Sequence, residues 1–212
     1  PERYREMAKQ IAASEYQMNT HAIGDSANTW ILKTYKTFLQ GKTNKRWRIE
    51  HAQIIAPEDF TLFENVIPSI QPTHATSDMY WAQDRIGKER MKGAYAYKDL
   101  LEAYGKVALG TDFPVEQVNP FLTFYAAAVR KDTDGYPDGG FQIENRLSRE
   151  ETLKGMTIWA AYSNFEENEK GSIEVGKLAD FTILNQNIMT VDAEKIPKTK
   201  ATATYLNGEK VY

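Results

Sequence analysis

Short apolar or β-branched segments alternate with helical patterns along the first two thirds of the chain. Strands are predicted over residues 16–21, 46–50, 66–69 and 107–109, and most of them are followed by a segment with helical periodicity. A helix that follows a strand returns the chain to the same end of the sheet, so this alternation predicts βα units and a parallel sheet. The chain is therefore predicted to be an α/β protein.

Helices with recognisable boundary residues complete this pattern. Gly41 ends one helical segment and Pro57 begins the next. Ser148 followed by Glu151 matches the capping box, in which each residue satisfies a backbone N–H of the other. Helices are predicted over residues 1–13, 27–40, 57–65, 121–131 and 148–162, with further helical stretches in a long insert over residues 73–104.

The end of the chain has a different character. Residues 132–147 contain clusters of Gly, Asp and Pro and are predicted to form a loop. After residue 171 a strand is predicted over residues 180–184, and the dipeptide Asn207-Gly208 between two further apolar segments is typical of a two-residue hairpin. We therefore predict a small β element after the α/β body, with the boundary between residues 170 and 171.

Composition narrows the class of protein. The 212 residues are 42% hydrophobic and 12% aromatic, which is enough apolar area for a folded core. The net charge of −3, without a basic stripe, argues against a nucleic-acid partner. No signal peptide and no apolar run approaching 18 residues is present, so no membrane partner is predicted. The absence of cysteine excludes disulfides, thiolate metal sites and cysteine nucleophiles.

Polar side chains with metal-binding chemistry follow the predicted strands. His21 ends the first strand, His51 follows the second by one residue, and Asp112 comes shortly after the fourth. In parallel α/β folds the carboxyl ends of the strands meet at one edge, where reactive side chains collect. Two imidazoles and a carboxylate are ligands for zinc or a similar divalent ion, with iron and manganese as alternatives. The pattern therefore indicates a metal site.

Each of these residues also has an ordinary interpretation. A histidine at a strand end often serves only as a hydrogen-bonding residue. The tripeptide at residues 110–112 also forms common turns. His74, which follows Gln71-Pro72, is compatible with a substrate contact and with a polar loop residue.

Five motifs together resemble a known family. The chain resembles the amidohydrolase superfamily and, more narrowly, the metal-dependent hydrolase branch that includes N-substituted formamide deformylases. The motifs that carry the resemblance occur in the family's order and extend over nearly the whole chain: HAIGD at residues 21–25, RIEHA at 48–52, QPTH at 71–74, GTDFPV at 110–115 and GSIEVGKLADF at 171–181.

The resemblance implies a fold. It implies the C-terminal half of a (β/α)8 TIM-type barrel, strands five to eight, over residues 1–170, and part of a small β-sandwich domain over residues 171–212. On this basis His21 ends strand five, His51 ends strand six and Asp112 ends strand eight.

The resemblance also implies an activity. It implies hydrolysis of C–N bonds in amides, formamides or cyclic amides, with one or two divalent ions, zinc being expected, in the complete protein. His21 and His51 are implied as ligands of one metal, and Asp112 as a ligand of the other metal or a contact of the attacking water. Asp112 is implied as the general base that passes the proton of the water to the leaving group.

Other residues are candidates for substrate binding or orientation. His74, Trp81 and Arg85 are candidates for substrate contacts, the last two because the segment between strands seven and eight resembles the substrate-side loop of the family, although ordinary packing and surface ion pairs are equally compatible with such residues. Asp78 and Arg90 lie in the same segment. Glu50 and Asp25 adjoin the proposed ligands and are candidates for orienting the imidazoles, but for Asp25 we favour a cap on the following helix.

The chain also departs from the family pattern. The H-x-H pair of strand one and the bridging Lys or Glu of strand four are absent, and both would precede Pro1. We therefore expect a piece of a longer protein that pairs with the missing N-terminal half or with a second copy of itself, because a half-barrel exposes strand edges and apolar surface. The alternative function is a non-catalytic fragment or subunit, with no metal of its own, that needs the missing half. A cytoplasmic location is expected, although the missing start leaves the compartment undetermined.

Overall fold

A computed structural model describes the backbone of residues 1–212 and every side chain except that of residue 43. The fold is mixed α/β, as predicted from the alternating pattern. The chain divides into two compact units, one formed by residues 1–70 and 80–108 and the other by residues 71–79 and 109–212. No helix among the described residues has both the length and the apolar character needed to cross a membrane.

The regular elements follow the predicted order, with small shifts at their ends. The strands are β1 (Asn19–Ala22), β2 (Arg48–His51), β3 (Ile67–Ile70), β4 (Ala108–Leu109), β5 (Phe181–Leu184), β6 (Ala201–Leu206) and β7 (Glu209–Lys210). The α-helices are α1 (Glu2–Ala12), α2 (Asp25–Leu39), α3 (Thr73–Asp78), α4 (Ala82–Met91), α5 (Tyr97–Tyr104), α6 (Pro120–Val129), α7 (Arg149–Met156) and α8 (Ile158–Ser163). Short 3-10 helices occupy Thr43–Lys45, Pro57–Asn65, Ile143–Asn145 and Ala193–Lys198.

The larger sheet contains four strands in the order β1-β2-β3-β4. The pairs β1–β2 and β2–β3 are parallel, which confirms the predicted βα connections. In the register of β1 and β2, Thr20 lies opposite Ile49 and His21 lies opposite Glu50. Residues 20 and 49 therefore face one side of the sheet and residues 21 and 50 the other.

Aromatic side chains fill the core of the first unit. Tyr35 of α2 and Trp47 are fully buried, and their rings meet edge to face with centroids 4.7 Å apart. The hydroxyl of Thr20 lies 2.6 Å from the Tyr35 hydroxyl and 2.7 Å from the Tyr4 hydroxyl of α1, so one hydroxyl chain joins β1 to both helices. Burial raises the pKa of Tyr35. This hydroxyl therefore stays protonated and able to donate at any physiological pH.

The second unit has its own core around α6. Asn119 caps this helix by accepting a hydrogen bond from the Phe121 N–H at 3.0 Å. A buried cluster of Phe124, Tyr125, Ile188 and Ile196 joins α6 to the 3-10 helix at Ala193–Lys198 and the segment before it. This packing connects the segment after β5 to the body of the second unit.

The predicted hairpin is confirmed. Strands β5, β6 and β7 form an antiparallel sheet, and Asn207 and Gly208 join β6 to β7 with φ values of 49° and 81°. Two consecutive positive φ angles are the signature of a type I′ turn, which Asn-Gly adopts with little strain. The predicted domain boundary divides the chain into two consecutive segments, residues 1–170 and 171–212, and it stays a prediction.

The predicted helix over residues 148–162 is broken at Thr157. Ser148 and Glu151 form the capping box, which confirms its predicted beginning. Thr157 then leaves the helical region at φ −126° and ψ −95°. A Cβ at Gly171 would lie 2.9 Å from the Ile158 Cα and 3.1 Å from the Thr157 carbonyl oxygen. Residue 171 thus packs directly against the break, a close approach that glycine permits.

Candidate active site

His21 and His51 lie side by side at the carboxyl ends of two adjacent parallel strands. Their ring centroids are 4.4 Å apart and the rings meet edge to face at 71°. The register places Glu50 opposite His21, so regular alternation would direct the His51 side chain to the other face of the sheet. The backbone at His51 instead has φ of 75°, in the left-handed region, and the regular strand ends there. His51 is 9% exposed, whereas His21 is exposed.

The backbone segments that follow these two histidines are tied together by Asn28 of α2. Its side-chain amide nitrogen lies within 3.3 Å of the carbonyl oxygens of Ala22, Ile23 and Gly24, and it donates to the Ile54 carbonyl at 3.1 Å. The Ile54 N–H donates to the Ile23 carbonyl at 3.0 Å. A fully buried amide thus holds the ends of β1 and β2 beside the two imidazoles.

Asp112 lies against His74 in the second unit. The His74 Nε2 atom is 2.9 Å from the Asp112 Oδ2 atom. Asp112 has φ of 62°, and its carbonyl accepts hydrogen bonds from the Val115 and Glu116 N–H groups at 2.8 and 3.2 Å. The segment after β4 therefore turns sharply immediately after Asp112.

Glu116 also contacts His74, and the sequence pattern did not predict this contact. Its Oε1 atom lies 3.3 Å from the His74 Nδ1 atom, on the opposite side of the ring from Asp112, and accepts a hydrogen bond from the Ser77 hydroxyl at 2.6 Å. The sequence indicated only that Ser77 lies near His74, because the two residues are three apart on α3 and residues at that spacing lie on one face of a helix. No local pattern indicated that Glu116 would face the same helix.

The acidic neighbours of the two histidines contact other side chains. Glu50 accepts a hydrogen bond from Arg48 Nε at 2.9 Å. Our preference for Asp25 as the helix cap was wrong: Gly24 occupies the cap position and Asp25 is the first helical residue. The Asp25 carboxylate accepts from Arg90 Nε at 2.8 Å and from the Ser26 N–H at 2.7 Å. The hydrogen bond from Arg90, and to a smaller extent that from Ser26, holds the pKa of Asp25 below its usual value of 3.8.

The candidate substrate residues lie at the start of α4 and on α3. Trp81 directly precedes α4 and is 48% exposed, and the Arg85 side chain is also exposed. Asp78 ends α3 and is half-buried. Substrate contacts by His74, Trp81 and Arg85 stay predictions.

Two contacts join predicted site residues within the units. His21 and His51 adjoin each other in the first unit, and Asp112 pairs with His74 in the second. Imidazole nitrogens and carboxylate oxygens are the donors that zinc and related divalent ions take in proteins, so the chemistry of these side chains fits such an ion. That His21, His51 and Asp112 belong to one ligand set stays a prediction.

Comparison with known proteins identifies the family. The model of the amidohydrolase family matches residues 1–212. The protein LONG AFTER FAR-RED 3 of Arabidopsis thaliana is 34% identical over 217 residues, covering 100% of this chain, and the Bacillus subtilis (strain 168) protein YtcJ is 31% identical over 201 residues, covering 92%. The narrower resemblance is also confirmed, because an N-substituted formamide deformylase of Arthrobacter pascens is 23% identical over 209 residues, covering 93% of this chain.

A solved structure supports the same conclusion. The crystal structure of an uncharacterised metal-dependent hydrolase from Pyrococcus horikoshii OT3 superposes with a TM-score of 0.76 at 27% identity, over 91% of this chain and 38% of that one. The chain spans 37% of the length of each of the three relatives named above. The match to the family model over all 212 residues is decisive, and the chain belongs to the amidohydrolase family.

Proposed function

We propose that the protein containing this chain is a metal-dependent hydrolase of C–N bonds in amide-type small molecules. The observation that carries the proposal is the edge-to-face pair of His21 and His51, 4.4 Å apart at the ends of adjacent parallel strands. Two neighbouring imidazoles at this edge of an α/β sheet provide a ligand pair for a divalent cation. The names of two similar proteins support this class of reaction, since one is a formamide deformylase and the other a metal-dependent hydrolase.

His21, His51 and Asp112 are the residues proposed to hold the metal. When bound by these side chains, a divalent cation would supply polarisation of the substrate carbonyl and a bound water acidic enough to attack near neutral pH. Zinc is the ion we test first, because it accepts mixed imidazole and carboxylate ligands.

Asp112 is proposed as the general base. Its carboxylate takes a proton from the attacking water as the oxygen joins the carbonyl carbon, and delivers that proton to the nitrogen as the C–N bond breaks. The products are a carboxylic acid and an amine. His74, 2.9 Å from the same carboxylate, orients it for this transfer. Trp81 and Arg85 are proposed to contact the acyl or aryl part of the substrate.

A second candidate is a chain that acts only when assembled with further protein. It is favoured by the coverage, because the chain corresponds to 37% of the length of each of the three relatives. On this proposal, residues 1–212 alone bind metal weakly and hydrolyse nothing, and activity requires another polypeptide segment or a second copy of this chain.

The test combines metal analysis, light scattering and assays. The purified chain is stripped with a chelator, reconstituted with Zn²⁺, Mn²⁺ or Fe²⁺, and assayed on an N-substituted formamide, a substituted urea and a cyclic amide. We expect turnover that depends on metal and falls at least 100-fold in Asp112→Asn, while the exposed loop variant Asp138→Asn keeps full activity.

The outcomes separate the two candidates. Full activity in Asp112→Asn removes Asp112 from the mechanism. Turnover by a monomer of residues 1–212 excludes the second candidate, and turnover only by a longer or assembled protein supports it. No hydrolysis by any form with any of the three metals contradicts the first candidate.

A further inference from the structure

The His74 ring lies between two carboxylates. Its Nε2 atom is 2.9 Å from the Asp112 Oδ2 atom and its Nδ1 atom is 3.3 Å from the Glu116 Oε1 atom. The three side chains are 12%, 27% and 19% exposed in the order His74, Asp112 and Glu116. Because most of their surface is withdrawn from water, contacts between them are stronger than those of ion pairs on the open surface.

Local backbone geometry places Glu116 on the far side of the ring. The Asp112 carbonyl accepts from the Glu116 N–H at 3.2 Å, which closes one turn of chain and returns Glu116 toward α3. Within α3, Ser77 lies one helical turn after His74, and its hydroxyl donates to the Glu116 Oε1 atom at 2.6 Å. The Oε1 atom of Glu116 therefore accepts a hydrogen bond from Ser77 and also faces the Nδ1 atom of His74.

We propose that Glu116 is a positioning residue that orients the Asp112 carboxylate through His74, an inference that rests on the proposed function of Asp112 as general base. Ser77 fixes the Glu116 carboxylate, Glu116 fixes the rotation of the His74 ring, and the ring fixes one oxygen of Asp112. Each ring nitrogen faces a carboxylate oxygen, at 2.9 Å for Nε2 and 3.3 Å for Nδ1, so the two carboxylates together fix the orientation of the ring, as carboxylates do beside other functional histidines.

This arrangement leaves the second oxygen of Asp112 for the attacking water. A general base works only when its oxygen is within hydrogen-bond reach of the proton it takes, so rotation of the carboxylate slows the reaction. Glu116 touches neither substrate nor water on this account. Its loss is expected to lower kcat and to leave KM nearly unchanged.

The first test needs no substrate. The full chain is labelled with ¹⁵N-histidine, and the His74 ring signals are identified at one fixed pH by their loss in His74→Gln. We expect Glu116→Gln to shift both ring nitrogens of His74, with a smaller shift of the same sign in Ser77→Ala. The control is Glu150→Gln, because Glu150 is an exposed glutamate that contacts Lys154 on α7. Unchanged His74 signals in a folded Glu116→Gln protein overturn the inference.

The second test is kinetic, on whichever substrate class the active protein hydrolyses. We expect kcat to fall about 10- to 100-fold in Glu116→Gln with KM within about twofold of wild type, a size typical of residues that orient a functional histidine. Glu116→Asp should recover part of the loss, and Glu150→Gln should match wild type. An equal fall in Glu116→Asp and Glu116→Gln, or a change confined to KM, contradicts a positioning role.

The two tests distinguish failure of this inference from failure of the proposed function. If the protein hydrolyses nothing, the proposed function fails while the His74 signals still report whether Glu116 orients the ring. If the protein is active and Glu116→Gln leaves both the signals and kcat unchanged, only the inference fails. Circular dichroism of each variant checks folding, and Ser77→Ala, on an exposed hydroxyl, provides a folded variant if Glu116→Gln does not fold.

Discussion

The side-chain amide of Asn28 donates a hydrogen bond to the carbonyl of Ile54 at 3.1 Å, across 26 residues of sequence. This contact joins the segment that follows His51 to the helix that follows His21. The pairing of the two imidazoles therefore depends on a buried residue that belongs to neither strand.

Asn28→Ala tests this dependence. The substitution leaves the Ala22, Ile54 and neighbouring carbonyls without their buried donor, which costs about 1–3 kcal/mol of unfolding free energy. Urea denaturation measures the loss, with Asn168→Ala, at an exposed asparagine, as the control. We also expect weaker Zn²⁺ binding by calorimetric titration, because the two histidines are no longer held together. Wild-type stability in Asn28→Ala would show that the amide is dispensable.

Metal binding is expected to stabilise the folded chain. When the free concentration of an ion that binds only the native state is 100 times its Kd, the free energy of unfolding rises by about 2.7 kcal/mol. Thermal melts with added ZnCl₂ should show a higher midpoint in the wild type and almost no shift in the double variant His21→Gln/His51→Gln. A chelator should reverse the effect. An equal shift in the double variant would place the ion elsewhere on the molecule.

The ion pair of Asp25 with Arg90 is expected to make stability depend on pH. Because its folded-state pKa is held below the usual 3.8, this carboxylate contributes stability above about pH 4, and the contribution disappears as the pH falls through the lower folded value. Asp25→Asn should therefore cost up to about 1 kcal/mol at pH 7, since the pair is partly exposed.

Urea denaturation at pH 7 and pH 3 measures this difference. The gap between the wild type and Asp25→Asn should shrink at the lower pH, and the control Asp138→Asn should show little difference at either. If the difference in unfolding free energy between the wild type and Asp25→Asn is larger at pH 3 than at pH 7, the stabilising role of the Asp25 carboxylate is contradicted.

Gly93 is required where two backbone segments approach each other. An added Cβ there would lie 1.8 Å from the Ile55 carbonyl oxygen, and the Ile55 N–H donates to the Gly93 carbonyl at 2.8 Å. Gly93→Ala should destabilise the protein by about 1–3 kcal/mol, because the backbone rather than a flexible side chain must move. Gly110→Ala, at a position with open space around the added methyl, is the matched control for unfolding experiments. Similar midpoints for the two variants would contradict the expected clash.

The elements that could be predicted from sequence are those defined by neighbouring residues. The capping box of Ser148 and Glu151 and the Asn207-Gly208 turn lie where predicted, because each depends on contacts within a few residues. The break at Thr157 could not be predicted, because it lies against Gly171, fourteen residues further along the chain. Local periodicity carries no information about such an approach.

In the candidate site, too, local sequence features could be predicted and long-range contacts could not. His21, His51 and Asp112 are candidates because strand ends and family motifs indicate them, and their role as ligands stays a prediction. Glu116 and Asn28 were missed because their importance depends on which distant group each one faces. Glu116 reaches His74 across 42 residues and Asn28 reaches the Ile54 carbonyl, and neither pairing follows from the local pattern of polar and apolar positions.

The left-handed backbone at His51 and at Asp112 restricts which residues could replace each of them. Asn, Asp, His and Gly adopt such angles most readily, whereas β-branched side chains are strained there. A library that exchanges side chains at position 51 or 112 therefore has few acceptable replacements, and a cysteine or a glutamate at either position also has to overcome the backbone preference. If the proposed function holds, position 21, on regular strand geometry, is the place where a change of metal preference would be sought first.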